Sequence, residues 1–209
     1  MKTARSLIPF LCLALLSCAG RQAQVPAIET ETQGEILAAT EAENQPELVV
    51  MNNERMLVVE AKGDPNMVGP KAFGLLFQLY YQMKDTPKGF VQAPPRARWP
   101  VSLEEPKSEW VGFYALPVPE SVVELPPYQA DPDMKASLTT WEYGTVAQIT
   151  HIGPYDREEP TIARLKAYIL ERGYEIAGPH EEEYLKGPTA FGQGNPEEYV
   201  TIIRYQVGK

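Results

Sequence analysis

Cysteine is nearly absent from the 209-residue chain: only Cys12 and Cys18 occur, both near the amino terminus. A disulfide framework is therefore excluded for everything that follows, and the fold must be held by its core. Histidine is as scarce, with His151 and His180 far apart in sequence and no cysteine beside either. That is no metal-ligand spacing, so both are read as structural, and neither a metal nor another cofactor is expected. Basic clusters are missing too. The net charge is −9, with 28 acidic against 19 basic residues, which argues against nucleic acid as a partner. Acidity suits cationic ligands, but a solvated surface is the preferred reading of it. No apolar run is long enough to span a bilayer, and no nucleophile elbow or phosphate-cradling glycine loop is present.

What is there begins with Met1-Lys2-Thr3-Ala4-Arg5 and a short apolar stretch from Leu7 to Leu16, the pattern of a signal peptide. Its end, Leu15-Leu16-Ser17-Cys18-Ala19, resembles the lipobox of bacterial lipoproteins. The resemblance implies cleavage before Cys18, a diacylglycerol on its thiol and a further acyl chain such as palmitate on the new amino terminus. Three chains exceed what stable anchoring needs. The expected organisation is a leader over 1–17, a lipid-anchored flexible tether over 18–48 and one domain over 49–209. The expected address is the cell envelope, on the outer membrane facing the periplasm or the surface, since Ala19 is not an inner-membrane retention aspartate. The tether assignment rests on a polar, Glu/Gln/Thr-rich composition without aromatics.

The domain repeats one order of elements. In the first half, Arg55–Ala61 reads as a strand. A helix follows with Pro70 in its first turn and Phe73, Leu76, Phe77, Tyr80 and Met83 on one face. Strands are then expected near Lys88–Gln92, around Trp99–Leu103 and over Glu109–Val118. A Pro-rich connection, Pro117 to Pro132, leads to a short strand at Leu138–Glu142. In the second half, Gly144–Ile152 is a strand, Pro160 opens a helix buried through Ile162, Leu165 and Ile169, and Gly173 caps it. Two pieces, Tyr174–Ala177 and Glu181–Lys186, precede a last strand in which Tyr199, Thr201, Ile203, Tyr205 and Val207 share one face. The fold class is α+β: two strand-helix-strand-strand modules related by a pseudo-twofold. They form one antiparallel sheet with both helices on one face and a ligand groove on the other.

The run Gly144-Thr145-Val146-Ala147-Gln148-Ile149-Thr150-His151-Ile152-Gly153-Pro154-Tyr155, the segment Gly173-Tyr174-Glu175-Ile176-Ala177-Gly178-Pro179, and Glu182, Tyr184, Leu185 and Tyr199-Val200-Thr201-Ile202-Ile203 together resemble a known family. It is the GyrI-like, SOUL-type effector-binding domains, related to the ligand-binding halves of AraC- and MerR-type multidrug regulators. The resemblance implies a central groove for hydrophobic, often cationic small molecules, with a buried carboxylate among aromatics. Some members bind gyrase and some hydrolyse cyclopropane-containing natural products. Glu182 matches the carboxylate position, with Tyr184 on the same strand face. The chain departs from the family at Ile202, where an acidic residue is usual, and at Gln206-Val207, where Pro-Val is usual.

The candidate ligand-binding residues are thus Glu182, Tyr184, Tyr155, Trp110, Trp141 and Tyr143. Tyr114, Tyr199 and Tyr205 are further aromatics that fit either a site or a core. Glu182 has its own bland alternative, a solvated run Glu181-Glu182-Glu183. Three functional readings follow: a lipoprotein that binds a small amphipathic molecule, a hydrolase with Glu182 as general base and Tyr155 or Tyr184 as its partner, or an envelope interaction module without a ligand. Binding leads; no catalytic residue is assigned outside the hydrolase reading. The expected partners are the small molecule and the membrane, in a monomer or weak dimer.

Overall fold

A computed structural model describes residues 44–100, 105–129, 131–188, 192 and 194–209. The leader, Cys18 and the tether up to residue 43 lie outside the described residues. Among the described residues, no helix is long and apolar enough to cross a membrane.

Alternation of apolar residues builds the strands β1 (Glu47–Met51), β2 (Glu54–Lys62), β3 (Arg96–Trp99), β4 (Val111–Pro117), β5 (Met134–Trp141), β6 (Gly144–Ile152), β7 (Glu175–Lys186) and β8 (Val200–Gly208). Helical spacing builds α1 (Pro65–Gln82) and α2 (Glu159–Glu171). All strands join one antiparallel sheet in the order β1-β6-β8-β7-β3-β4-β2-β5. That order is symmetric about the β7–β3 seam. One module, β2-α1-β3-β4, mirrors the other, β6-α2-β7-β8, and β5 and β1 extend the outer edges. The expected strand-helix-strand-strand repeat and the shared helix face are thus present.

Both helices pack on the same side. Leu76, Leu79 and Tyr80 of α1 bury Leu57, Val59, Ala97 and Leu116, while Leu165 and Ile169 of α2 bury Ala147, Ile149, Ile203 and Tyr205. The reverse side holds a third cluster, in which Met56, Val58 and Ala115 meet Trp141, Tyr143 and Val146. β6, which carries Val146, stands far from β2, β4 and β5 in the sheet order. The sheet therefore bends over its reverse face, a path also imposed by the two-residue connections Asn52-Asn53 and Glu142-Tyr143. The amide of Tyr143 donates to Asn53 Oδ1 at 3.1 Å, tying the two connections together.

Four local expectations are corrected. Helix α1 begins at Pro65, with Asp64 accepting the Asn66 amide, so Pro70 lies inside the helix and not in its first turn. Lys88–Gln92 is no strand: Gly89, with φ at 68°, starts a single 3₁₀ turn over Gly89–Val91, and the strand falls at Arg96–Trp99. The pieces around Pro179 are one strand, β7, with a register shift between Ile176 and His180 where the sequence pattern breaks. Strand β1 has no counterpart among the expected elements. The remainder of the extended piece expected to Leu103 lies outside the described residues. Gly173, with φ at 71°, does cap α2, and Tyr174 N–H reaches back to the Ile169 carbonyl at 3.0 Å.

Candidate functional site

Strand alternation sends His180, Glu182 and Tyr184 to one face of β7 and Glu181 and Glu183 to the other. Glu182 pairs across the seam with Ala97 of β3 and on its other side with Ile203 of β8. Since Ala97 faces α1 and Ile203 faces α2, Glu182 lies on the helix-bearing face, where the modules meet. The groove was expected on the opposite face. Counting strands by twos fixes the neighbours of Glu182 but does not say which layer covers them.

Glu182 retains only 12% side-chain exposure, so the solvated-run alternative fails for it. Its Oε1 accepts from His180 Nε2 at 2.8 Å and its Oε2 from the Tyr184 hydroxyl at 2.6 Å. With Nε2 donating, His180 Nδ1 accepts from the Tyr205 hydroxyl at 2.9 Å. Burial works to raise the Glu182 pKa, but the hydrogen bonds from His180 and Tyr184 prevail and hold it below the ordinary carboxylate value. The Tyr184 phenol is pushed up by burial and by the adjacent Glu182.

A second carboxyl group comes from the residue preceding α2. Glu158 is 5% exposed, and its side chain makes no capping bond to the helix. It turns inward instead, and donor atoms of Glu158, His180 and Glu182 all lie within 4.8 Å of one another. Burial, then repulsion from Glu182, pushes the Glu158 pKa up to about 9, so this group is protonated at neutral pH. Its Oε1 makes no hydrogen bond of normal geometry, and nor do Thr201 Oγ1 and Trp99 Nε1, although Thr201 lies close enough to Glu158, and Trp99 to Glu182, to favour their ionised forms; the Tyr114 hydroxyl on the same face is also buried without a partner.

Aromatic rings close over the carboxyl groups. Tyr184 meets Phe73 of α1 edge-on at 5.8 Å and Tyr155 at 5.5 Å; Tyr155 lies against Tyr199 at 5.2 Å. Phe73 also meets Tyr114, which in turn meets Trp99. Two glycines make this packing feasible. A Cβ on Gly112 would stand 2.7 Å from Trp99 and 2.8 Å from Tyr114, and one on Gly187 would stand 2.5 Å from the Tyr155 hydroxyl. Tyr155 is the outermost ring, 37% exposed on a 3₁₀ turn over Tyr155–Arg157.

The structure separates the candidate residues into two groups. Glu182, Tyr184 and Tyr155 meet on the helix face, joined by Tyr114, Tyr199 and Tyr205. Trp110 packs on Trp99 at 5.6 Å and donates its indole N–H to the Glu105 carbonyl. Trp141 and Tyr143 belong to the reverse face, where they stack on the Arg98 guanidinium at 4.0 and 4.8 Å. There Glu181 and Glu183 are fully countercharged. Arg204 binds both, at 2.9 and 2.6 Å; Arg98 binds Glu181 at 2.6 Å; Arg96 joins Glu183, Glu54 and the Tyr143 hydroxyl. Ile202 pairs with Glu183 and so also faces the reverse side. Its departure from the family pattern takes no charge from the Glu182 site.

Sequence reading missed two members. His180, read as structural, stands two residues from Glu182 on one strand face, a signal hidden by breaking the strand at Pro179. Glu158 sits at a helix start, where a carboxylate ordinarily faces solvent, and nothing local marks it. His151 is a different case. It ties the Gly153-Pro154 turn to α2 through Thr161 Oγ1 at 3.0 Å and the Pro154 carbonyl, and burial lowers its pKa.

An antiparallel sheet with two symmetric helices over a carboxylate and its aromatic walls defines a class of ligand-binding domain. Residues 44–207 match the profile of the GyrI-like small molecule binding domain, and the chain belongs to that family. Among solved structures, an uncharacterized conserved protein from Listeria innocua is similar at 24% identity, covering 79% of this chain and 93% of that one, with a TM-score of 0.63. A hydrolase from Listeria innocua is similar at 22% identity, with coverages of 82% and 98% and a TM-score of 0.62. The EcmrR C-terminal domain is similar at 17% identity, with coverages of 79% and 98% and a TM-score of 0.55. At these identities the likeness is one of fold. No curated protein matches the chain.

Proposed function

We propose that the domain binds a small hydrophobic or amphipathic molecule through a cationic or hydrogen-bond-donating group, with Glu182 as its anchor and Phe73, Tyr114, Tyr155 and Tyr184 as its walls. One contrast across β7 carries this reading. On the reverse face of β7 both Glu181 and Glu183 are matched by arginine, whereas among the described residues no lysine or arginine pairs with Glu182 or Glu158. A largely buried anion without a fixed cation, lined by π faces, is built to gain from a cation that arrives. The rings pack over the site, so entry requires Tyr155, the most exposed of them, to swing aside. Thermal-shift measurements on the full chain with flat hydrophobic cations should show stabilisation that Glu182→Gln removes. Shifts indifferent to that change would overturn the assignment.

A second reading, hydrolysis of a small reactive molecule, is favoured by the juxtaposition of a protonated carboxyl, Glu158, and an ionised one, Glu182. In it Glu182 activates water and Glu158, in place of Tyr155 or Tyr184, supplies the proton. Consumption of a bound ligand, lost in Glu158→Gln, distinguishes it from binding alone.

The proposal extends to location. Leu15-Leu16-Ser17-Cys18 supports lipid attachment at Cys18, which would hold the domain outside the cytoplasm on a short tether, with the outer membrane as its address.

A further inference from the structure

We infer that the group recognised between α1 and α2 is a cation bearing N–H donors, such as an amidinium, guanidinium or primary ammonium, held jointly by Glu158 and Glu182, and that quaternary cations are disfavoured. The inference rests on the reading of Glu182 as the ligand anchor and adds the second carboxyl as the determinant of ligand class.

The two oxygens of Glu182 are already occupied, each accepting one bond from His180 or Tyr184, although each keeps a second lone pair. Glu158 is different. It comes from another element, is nineteen-twentieths buried, and its Oε1 has no hydrogen bond within a cluster whose donor atoms span 4.8 Å. Protonated, Glu158 turns its O–H toward Glu182, which leaves Oε1 as a bare acceptor; in so enclosed a place that is costly, and a partner that donates to it recovers the cost. A trimethylammonium or phosphonium group satisfies charge alone and would leave Oε1 bare. A planar amidinium presents two parallel N–H groups, one for Glu182 and one for Glu158, and its flat face suits the rings of Tyr155 and Phe73. Directly opposite Glu182, β3 places the small Ala97, with the Trp99 indole beside it, so a group that reaches the two carboxyls enters by displacing the Tyr155 ring.

The same three donors are also close enough for a divalent metal ion, and the test separates the two. Calorimetric titration of the full chain, purified in detergent, should show benzamidine binding more tightly than phenyltrimethylammonium by about tenfold or more. Glu158→Met should weaken benzamidine more than phenyltrimethylammonium and so remove this preference, and Glu182→Met should abolish binding of both. Because Glu158→Met removes an unsatisfied group, it is expected to fold, and its melting curve checks this. Equal affinity of the two probes in the unmodified chain, or a preference that survives Glu158→Met, overturns the inference while leaving the Glu182 anchor intact. Binding of neither probe overturns both. Stabilisation by zinc or manganese, with no response to benzamidine, overturns it in favour of a metal centre.

Discussion

Glu158 and Glu182 reach one enclosed spot from different elements, the residue preceding α2 and the middle of β7, and hold their protons differently. Burial and its neighbour keep Glu158 protonated, while hydrogen bonds from His180 and Tyr184 keep Glu182 ionised. We take the pair as the centre of the proposed site. It sits on the pseudo-twofold seam, where neither module alone would enclose it.

This relationship makes stability depend on pH through Glu158. Its folded pKa is raised, so the stability it contributes is complete below the ordinary carboxylate value and is lost as pH rises toward about 9. Glu158→Met cannot titrate. Denaturant unfolding at pH 5 and pH 9 should therefore show the variant gaining on the parent chain by about 1 kcal/mol or more at the higher pH. An advantage independent of pH would contradict a protonated Glu158.

On the reverse face, Arg204 holds Glu181 and Glu183 at once and is itself 2% exposed. Arg204→Met leaves two carboxylates short of their main counter-charge in a bent, closed face. The expected loss is about 3–5 kcal/mol in urea unfolding. Ligand affinity at Glu182 should follow stability alone, because the network lies on the other side of the sheet.

His151 is buried with a lowered pKa, so it contributes stability that is present above its ordinary value and lost as pH falls below about 6.5. His151→Asn should flatten the acid limb of a melting-temperature profile between pH 7 and pH 5. The Thr161 bond it breaks should lower the whole profile modestly, by about 1 kcal/mol.

Lipid attachment is tested by labelling. Cells supplied with a radiolabelled fatty acid should yield a labelled chain, and Cys18→Ser should yield an unlabelled one that stays with its uncleaved leader. Equal labelling of the two would place the lipid elsewhere.

Much of this architecture was legible in the sequence, because apolar periods of two and of three to four mark elements whose faces are buried. Leu165 and Ile169, the Gly173 cap and the Tyr199–Val207 face follow from spacing alone. Short or irregular elements do not. β3 spans four residues among prolines, β1 is recognisable only by pairing with β6, and the irregularity near Pro179 interrupts alternation. The site was legible one element at a time: Glu182 with Tyr184 by alternation, Tyr155 by its place after a turn. Its partners Phe73, Trp99 and Glu158 come from elements brought together only by the seam. Trp141 and Tyr143 were grouped with them by composition, although strand order places them behind the sheet.

The most direct test of ligand binding between α1 and α2 is a crystal structure of the chain soaked with benzamidine. The account predicts the ligand at the β7–β3 seam, its nitrogen within hydrogen-bonding distance of a Glu182 oxygen and the Tyr155 ring displaced. A ligand seated instead in the cavity of about 260 Å³ lined by Gln45, Glu47, Gln148, Thr150 and Ile202, with Tyr184 still closed on Glu182, would contradict it.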